Sequence, residues 1–280
     1  MTRDILSSLT VFLFFWYVLS MKKYLITLVV MVIFSCGNSY GFEISGLQPL
    51  APNGIFSTFS TRSLPKGHVS FSTDVEVSIE PNLTKFFLKG AYGITDSIQF
   101  SMNIPYVWGS TSPDGFEDIA LGIQHRFFEE GKYGPSLAYI VTASLPSGID
   151  AFTTDGRFGV GILLSKKVGP VNGHANIFFV MPGKGDFDNE VAFFAGLDFA
   201  ATHNFNILAE LYSKTSYETG KVESVEGRFG YRIKTTDSIY TTVGVGFDFK
   251  NRNPETRLMF SVTFVPPSKK KAIEKVYEEE

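Results

Sequence analysis

The residues of this chain that could do chemistry are charged side chains that recur at alternate positions of short segments. Asp74 and Glu76 stand two residues apart, and the next segment carries Lys85 and Lys89. Because successive side chains of a β-strand point to opposite faces, each pair shares one face. Opposite charges on neighbouring strands attract, so such a face either holds the wall together or forms a constriction that selects solutes. The candidates for lining a lumen with this polar face are Asp74, Glu76, Lys85, Lys89, Arg126, Arg157, Asp198, Glu210, Arg228, Arg232, Asp248 and Arg257.

Histidines are the other candidates for chemistry, and their spacing does not indicate catalysis. His68, His125, His174 and His203 are scattered, and none is expected beside a serine in the setting of a nucleophile. A hydrolase built on strands needs a Ser–His pair with an orienting group on adjacent strands. The sequence also has no metal-ligand spacing and no phosphate-cradling loop. We therefore predict no catalytic residue, no metal and no cofactor, although His174 falls on the polar face.

The last hairpin indicates which architecture positions these residues. Between Ile239 and Phe264, apolar residues alternate with polar or small ones on both sides of a polar connection at 251–254. Segments from Gly67 onward repeat this alternation, and no amphipathic helix is available to cover the apolar face. A sheet closed on itself, with lipid outside and a polar lumen, satisfies the pattern. The predicted fold is all-β, a transmembrane antiparallel up-and-down β-barrel of about 12 strands.

Composition favours the same class of protein. The chain has 280 residues, including 28 phenylalanines, and its formal net charge is −3. Such a near-neutral balance gives no electrostatic footprint for nucleic acid. A soluble sandwich of this size would struggle to bury so many phenylalanines, whereas contact with lipid explains them. No apolar run of 18 residues follows residue 41, so we expect no membrane-spanning helix in the mature part.

Two kinds of connection alternate along the chain and constrain the topology. Longer polar connections alternate with short turns near 95–97, 132–134, 169–170, 203–204 and 237–238. Bacterial barrels have short turns on the periplasmic side and long loops outside, so about 12 strands place both barrel ends on the periplasmic side. A thirteenth strand at Gly54–Thr61 would put the N-terminus on the wrong side. Residues 42–66 are therefore predicted to form a periplasmic lead-in or a partial plug.

The first 41 residues have the features of a targeting signal. Met21-Lys22-Lys23 precedes an apolar run of the length expected for a signal-peptide core, and Ser39-Tyr40-Gly41 offers small residues for cleavage. Met21 is thus the predicted initiator, and Phe42 the first mature residue. The alternatives are a longer leader or an anchored hairpin, and lipidation at Cys36 is a further one. The predicted organisation is a signal or targeting region at 1–41, the lead-in or plug at 42–66, the barrel at 67–265 and a charged periplasmic tail at 266–280.

Three short phrases resemble a known family. They are Gly115-Phe116-Glu117-Asp118-Ile119 with the residues up to Phe127, Ser144-Leu145-Pro146-Ser147-Gly148, and Ala91-Tyr92-Gly93-Ile94-Thr95-Asp96. Together, over roughly residues 45–265, the chain resembles the outer-membrane transporters of the meta-pathway of phenol degradation family. The resemblance implies an outer-membrane barrel that passes small molecules, with Asp118 and Gly148 at turn and strand-entry positions. It carries over no catalytic residue.

The predicted function is a narrow channel or uptake route for small molecules, with hydrophobic or aromatic ones among the candidates. Two alternatives stay open: a non-conducting structural or ligand-binding barrel, and a barrel-embedded enzyme that modifies lipids. The predicted location is the outer membrane of a Gram-negative type envelope, reached through a cleaved signal peptide. The expected partners are outer-membrane lipid, the barrel-assembly machinery and an unidentified solute.

Overall fold

The computed structural model describes residues 46–79, 83–109, 113–216, 220–250 and 256–266. The predicted targeting region at 1–41 lies outside the described residues, as do residues 42–45 and the tail beyond Pro266. Over the ranges that are described, no helix has the length and apolar character needed to cross a membrane.

Thirteen strands form one sheet. Their bounds are β1 Val69–Ser78, β2 Leu83–Gly93, β3 Ile98–Gly109, β4 Gly115–Phe116, β5 Ile119–Phe128, β6 Ser136–Leu145, β7 Arg157–Val168, β8 Val171–Pro182, β9 Glu190–Ala200, β10 Phe205–Thr215, β11 Val222–Lys234, β12 Ile239–Asp248 and β13 Thr256–Phe264. The two-residue β4 and the following β5 both pair with β3, so together they act as one broken strand. The sheet therefore has twelve strand positions.

The sheet closes into a barrel. Each strand runs antiparallel to its neighbour along the chain, and β1 pairs with β2 on one side and with β13 on the other. Pairing between β2 and β3 completes the circle. Closure leaves no sheet edge with unpaired backbone groups, which a spanning sheet requires because lipid offers no hydrogen bonds. The predicted all-β, antiparallel up-and-down barrel of 12 strands is confirmed.

Apolar side chains cover the outer surface. Phe71, Leu88 and Ile162 each expose more than half of their surface, and the other outward positions of the strands are of similar character. Aromatic rings pair at the two rims, Tyr106 with Phe116 near one and Phe205 with Tyr231 near the other. A continuous exposed apolar belt with aromatic girdles is the signature of a surface in contact with lipid.

The connections have the predicted sidedness. At one end of the barrel they span 94–97, 129–135, 169–170, 201–204 and 235–238, and at the other 79–82, 110–114, 146–156, 183–189, 216–221 and 249–255. The first residues of β1 and the last residues of β13 both lie at the first end, where Phe71 pairs with Phe264. Short turns lie on the periplasmic side in bacterial barrels, so we refer to this end as the periplasmic end.

The interior differs from the uniformly polar lumen that the alternation predicts. Inward-facing positions of β6 to β10 carry a buried apolar cluster, comprising Ala138, Ile140, Leu163, Phe178, Ala192, Phe194 and Tyr212, with Phe59 packed among them. The expectation of an entirely wet wall was therefore wrong on this arc. Apolar side chains are stable there because Phe59 comes from a segment inside the barrel and covers them.

The outward face gives a testable prediction. Ile162 lies in the middle of β7 and 53% of its surface is exposed. We expect Ile162→Arg to destabilise the barrel in phospholipid vesicles by about 2–4 kcal/mol, because the charge would have to enter the hydrocarbon region. Urea unfolding in vesicles measures the effect, with Ile162→Leu as the matched control. An unchanged stability of the arginine variant would contradict a lipid-facing surface.

Candidate functional site

Residues 46–66 lie inside the barrel and are held there by side chains of the wall. Glu210 on β10 accepts hydrogen bonds from the backbone N–H groups of Ser57 and Thr58 and from the Thr58 hydroxyl, each at 2.8 Å. On β8, the amide of Asn176 accepts from the N–H of Phe59 at 2.7 Å and donates to its carbonyl at 2.9 Å. A backbone inside a barrel must find such partners, since its polar groups have left water.

Other strands contact the rest of this inner segment, which we define as residues 46–66. Each contact joins a wall side chain to the segment backbone: Asn103 to Gly46 at 2.8 Å, Lys89 to Pro49 at 3.0 Å, Gln124 to Ser60 at 3.1 Å, Ser165 to Thr61 at 2.9 Å, Gln99 to Leu64 at 2.8 Å, and Arg232 to Gly54. No residue of the inner segment belongs to the thirteen-stranded sheet, and its one described bridge joins Gly54 to Phe59 within the segment. Side chains, rather than strand pairing, therefore hold it.

Inward glycines make room for the inner segment. A Cβ on Gly196 would lie 2.6 Å from the Cδ1 atom of Ile55, and a Cβ on Gly244 would collide with the ring of Phe56. At Gly122 it would collide with the side chain of Leu47. The absence of a side chain on the wall thus allows apolar side chains of the segment to pack against backbone.

Arg228 joins the wall to the inner segment. Its guanidinium pairs with Glu210 at 3.1 Å and with Glu226 at 3.1 Å, and it donates to the hydroxyl of Ser57 at 2.5 Å. The side chains of Arg228 and Glu210 have no exposed surface. A fully buried charge needs such partners, because removing one leaves the other without compensation. Two of the predicted residues, Glu210 and Arg228, are therefore brought together around the segment.

The other predicted lumen residues form smaller groups. Asp198 pairs with Arg232 at 3.1 Å, Asp74 with Lys89 at 2.5 Å, and Glu76 with Arg257 at 3.4 Å. Asp248 is buried and accepts the backbone N–H of Lys250 at 2.8 Å. Since the paired side chains are largely buried and neutralise one another, most of the predicted charges are arranged as ion pairs within the wall.

Lys85 has an ion-pair partner that the alternation did not indicate. Its ammonium lies 2.6 Å from Glu117, whereas Asp74 and Glu76 pair elsewhere. Glu117 stands between β4 and β5, where the pairing with β3 shifts by one residue. Such a β-bulge places an extra residue on one strand, and here it buries the adjacent residues Glu117 and Asp118 together.

The bulge also connects two of the sequence motifs that carry the family resemblance, residues 115–127 and 144–148. Asp118 accepts hydrogen bonds from the backbone N–H of Gly148 at 3.1 Å and of Thr154 at 3.0 Å, both in the connection between β6 and β7. A Cβ on Gly148 would lie 3.0 Å from the backbone nitrogen of Asp118, so only glycine fits without a shift. Asp118 and Gly148 therefore attach the connection between β6 and β7 to the wall of the barrel.

Arg126 and Arg157, the remaining candidates, lie at opposite ends of the lumen. Arg126 is at the periplasmic end and donates to the carbonyl of Asp96 at 3.0 Å and to Glu129 at 3.1 Å. Arg157 is at the outer end and donates from its Nε to the Thr154 hydroxyl at 2.9 Å. The structure does not bring these two arginines into the central groups of charges.

A small cavity lies between the inner segment and the apolar arc of the wall. Its volume is about 60 Å³, and its lining includes Phe59, Phe178, Phe194, Tyr212 and Arg157. The Phe194 and Tyr212 rings stack with centroids 4.8 Å apart, and Phe178 meets Phe194 edge-on at 5.7 Å. Aromatic walls with a few polar groups are typical of sites that hold small organic molecules.

Sequence reasoning missed four inward charges: Glu117, Glu190, Lys214 and Glu226. Glu226 is two residues before Arg228 on β11, so strict alternation would have placed both on one face. Lys214 and Glu190 form an ion pair at 3.6 Å near the outer end. The alternation of side chains along a strand could have identified Glu190, Lys214 and Glu226 as inward residues. It could not identify Glu117, because a β-bulge interrupts the alternation there.

His174 has a serine neighbour, contrary to the expectation from sequence. Its Nδ1 lies 2.8 Å from the hydroxyl of Ser165, the residue that faces it across β7 and β8. Nine residues separate the two, and only the hairpin register brings them together. The hydroxyl oxygen also accepts the N–H of Thr61, so the pair contacts the inner segment. Within the described ranges, no three His, Cys, Asp or Glu residues are close enough to hold a metal.

The buried carboxylate gives a testable prediction. We expect Glu210→Gln to destabilise the folded protein by about 3–5 kcal/mol, because it removes a charge partner of the buried Arg228. The substitution should also expose the inner segment to protease. The Glu210 carboxylate accepts four hydrogen bonds, and the single amide oxygen of glutamine cannot accept all of them. Urea unfolding and limited proteolysis measure the two effects.

The matched control is Glu129→Gln. Its carboxylate is 82% exposed in its pair with Arg126, so its loss should change stability by no more than about 0.5 kcal/mol. Equal effects of the two substitutions would contradict the role given to Glu210.

Comparison with known proteins places the chain in a family. Residues 56–264 match the family described as "Putative MetA-pathway of phenol degradation". Among solved structures, the fold is similar to the COG4313 outer membrane channel from Pseudomonas putida F1, with a TM-score of 0.58 and 12% identity over 74% of this chain and 98% of that one. A NanC porin (TM-score 0.55, 12% identity, 69% and 98% coverage) and a KdgM porin (0.54, 12%, 70% and 98%) are similar too.

At such low identity these structures establish the fold alone, and a search of curated proteins finds no match. The family match, however, spans most of the sequence and all thirteen strands of the barrel. It confirms the resemblance carried by the three short phrases. The chain is a transmembrane β-barrel that belongs to the "Putative MetA-pathway of phenol degradation" family.

Proposed function

We propose that this protein lets small molecules, apolar and aromatic ones among them, cross the outer membrane, and that the inner segment keeps the lumen closed until it is displaced. The family description names a pathway of phenol degradation, and the fold is similar to that of an outer-membrane channel. A barrel of about 12 strands encloses a narrow lumen, between the filled interior of 8 strands and the open channel of 16.

The observation that carries the proposal is the way the inner segment is held. Its backbone is bonded to wall side chains such as Glu210, Asn176 and Gln124, and it adds no strand to the sheet. Withdrawing it would therefore leave every strand pair of the barrel intact. A segment that can leave without unfolding its container is suited to act as a gate.

The aromatic cavity supports the class of solute. The inner segment covers the rings of Phe178, Phe194 and Tyr212. Its withdrawal would enlarge the lumen and expose these aromatic rings on the wall. Such rings contact apolar and aromatic solutes favourably. Arg157 and Glu190 at the same cavity would orient polar substituents on these solutes.

A reversible cross-link tests the proposal. An ideal Cβ at Gly196 would lie 3.3 Å from the Cβ of Thr58, close to the separation of about 3.5–4.5 Å found in disulfides. The chain from Phe42 onward contains no cysteine, so Thr58→Cys with Gly196→Cys would introduce a single pair. In planar bilayers we expect the oxidised variant to be silent and the reduced variant to conduct as Gly196→Cys alone does, because the Cβ added at Gly196 meets Ile55 in both.

The controls are Thr58→Cys alone and Gly196→Cys alone, and the conductance of neither should respond to oxidation. Conductance of the oxidised double variant equal to that of the reduced one would contradict gating by the inner segment. If the unmodified protein and the reduced variant are both silent, the barrel is non-conducting, and the structural or ligand-binding alternative replaces transport.

Export and assembly belong to the same proposal. Cleavage of a signal peptide after Gly41, with Met21 as initiator, would deliver the chain to the periplasm. Insertion by the barrel-assembly machinery would then place the short connections and both barrel ends on the periplasmic side. Residues 42–66 would act as a partial plug, and the charged tail at 266–280 would remain in the periplasm.

A further inference from the structure

A second cavity opens at the periplasmic end of the barrel. Its volume is about 280 Å³, and it is lined by the end of the inner segment, the connection between β5 and β6, and the facing ends of β7 and β8. A single water molecule needs about 10–15 Å³ by the same measure of volume. The cavity is therefore large enough for a small organic molecule rather than only for an inorganic ion.

Four cationic side chains line this cavity, and two of them have carboxylate partners. Arg126 pairs with Glu129 at 3.1 Å, and Lys166 pairs with Glu130 at 3.2 Å. Burial would raise the pKa of Glu130, but hydrogen bonds from the backbone N–H of Lys167 and from Lys166 lower it overall. Glu130 thus remains charged at neutral pH and remains the partner of Lys166.

The other two cations are not neutralised. Arg62, in the inner segment, and Lys167, at the end of β7, line the same cavity, and neither has an ion-pair partner among the residues that the structure describes. The lining therefore carries two uncompensated positive charges, one on the inner segment and one on the wall. With four cations and two carboxylates, the lining has a net positive charge, and a concave site with such a charge raises the local concentration of anions.

Neutral groups at this cavity add a donor. The hydroxyl oxygen of Ser165 accepts the N–H of Thr61 at 2.9 Å and shares a hydrogen bond with the Nδ1 of His174 at 2.8 Å. His174 and Asn172 thus present polar groups to the cavity beside the two cations. Arginine forks and neighbouring N–H groups are the usual recognition elements for carboxylates.

We propose that this periplasmic cavity binds the carboxylate of a small organic acid, with Arg62 and Lys167 as its cationic contacts. The bound acid would bridge the inner segment and the wall of the barrel. The proposal does not require the lumen to conduct, because the cavity is open with the inner segment in place. Its failure is therefore distinguishable from a failure of the gating test.

Calorimetric titration of the detergent-solubilised protein tests the site. The probes are benzoate and benzyl alcohol, which share a ring and differ in charge, together with inorganic phosphate. We expect salt-sensitive binding of benzoate, no comparable binding of benzyl alcohol, and at least tenfold weaker binding of phosphate. In Arg62→Gln with Lys167→Gln, the affinity for benzoate should fall roughly tenfold or more, since hydrogen bonds to charged groups are lost.

Lys221→Gln is the matched control, because Lys221 is an exposed lysine at the opposite end of the barrel and its loss should leave benzoate binding unchanged. A heat-shifted gel band confirms that each variant is folded. The proposal is overturned if benzoate does not bind, if benzyl alcohol binds equally well, or if the double variant keeps its affinity. Equal binding of phosphate would show recognition of charge alone and would overturn the assignment to an organic acid.

Discussion

The interior of this barrel depends on one constraint: a charge or a backbone amide that leaves water must meet a partner. Glu210 satisfies it twice, by accepting the N–H groups of Ser57 and Thr58 and by pairing with Arg228. The wall therefore needs the inner segment as much as the segment needs the wall. Without the segment, inward carboxylates and amides would have to be satisfied by water entering the lumen.

Because the wall and the inner segment satisfy each other's polar groups, the chemistry of the lumen depends on where the segment lies. The two ends and the two arcs of the lumen therefore carry different kinds of side chain. Where β6 to β10 face Phe59, the wall is apolar and aromatic. On β1, β2 and β13, ion pairs such as Lys89 with Asp74 lie beside the inner segment. At the periplasmic end the segment leaves the barrel, and the wall opens into a cavity with unpaired cations. The segment thus divides the lumen into regions of different chemistry.

The sequence predicted much of the candidate site because the chemistry followed the period of a strand. Alternation placed Arg228, Arg232 and Asp198 on one face, and all three are inward and paired. It gave neighbours but not every ion pair: Lys85 lies opposite Glu76 in the register of β1 and β2, as expected, whereas its ammonium pairs with Glu117. Pairing across a barrel depends on register and bulges, and a one-residue shift changes which side chains face inward.

The sequence by itself determined the closed all-β barrel, the twelve strand positions and the sidedness of the connections, because a period of two and alternating loop lengths are local properties. Only the tertiary structure decided what fills the lumen. The bonds from Asn176 to Phe59 and from Ser165 to Thr61 join residues more than 100 positions apart. No local pattern specifies such contacts, since they arise only after closure has brought distant strands around the same segment.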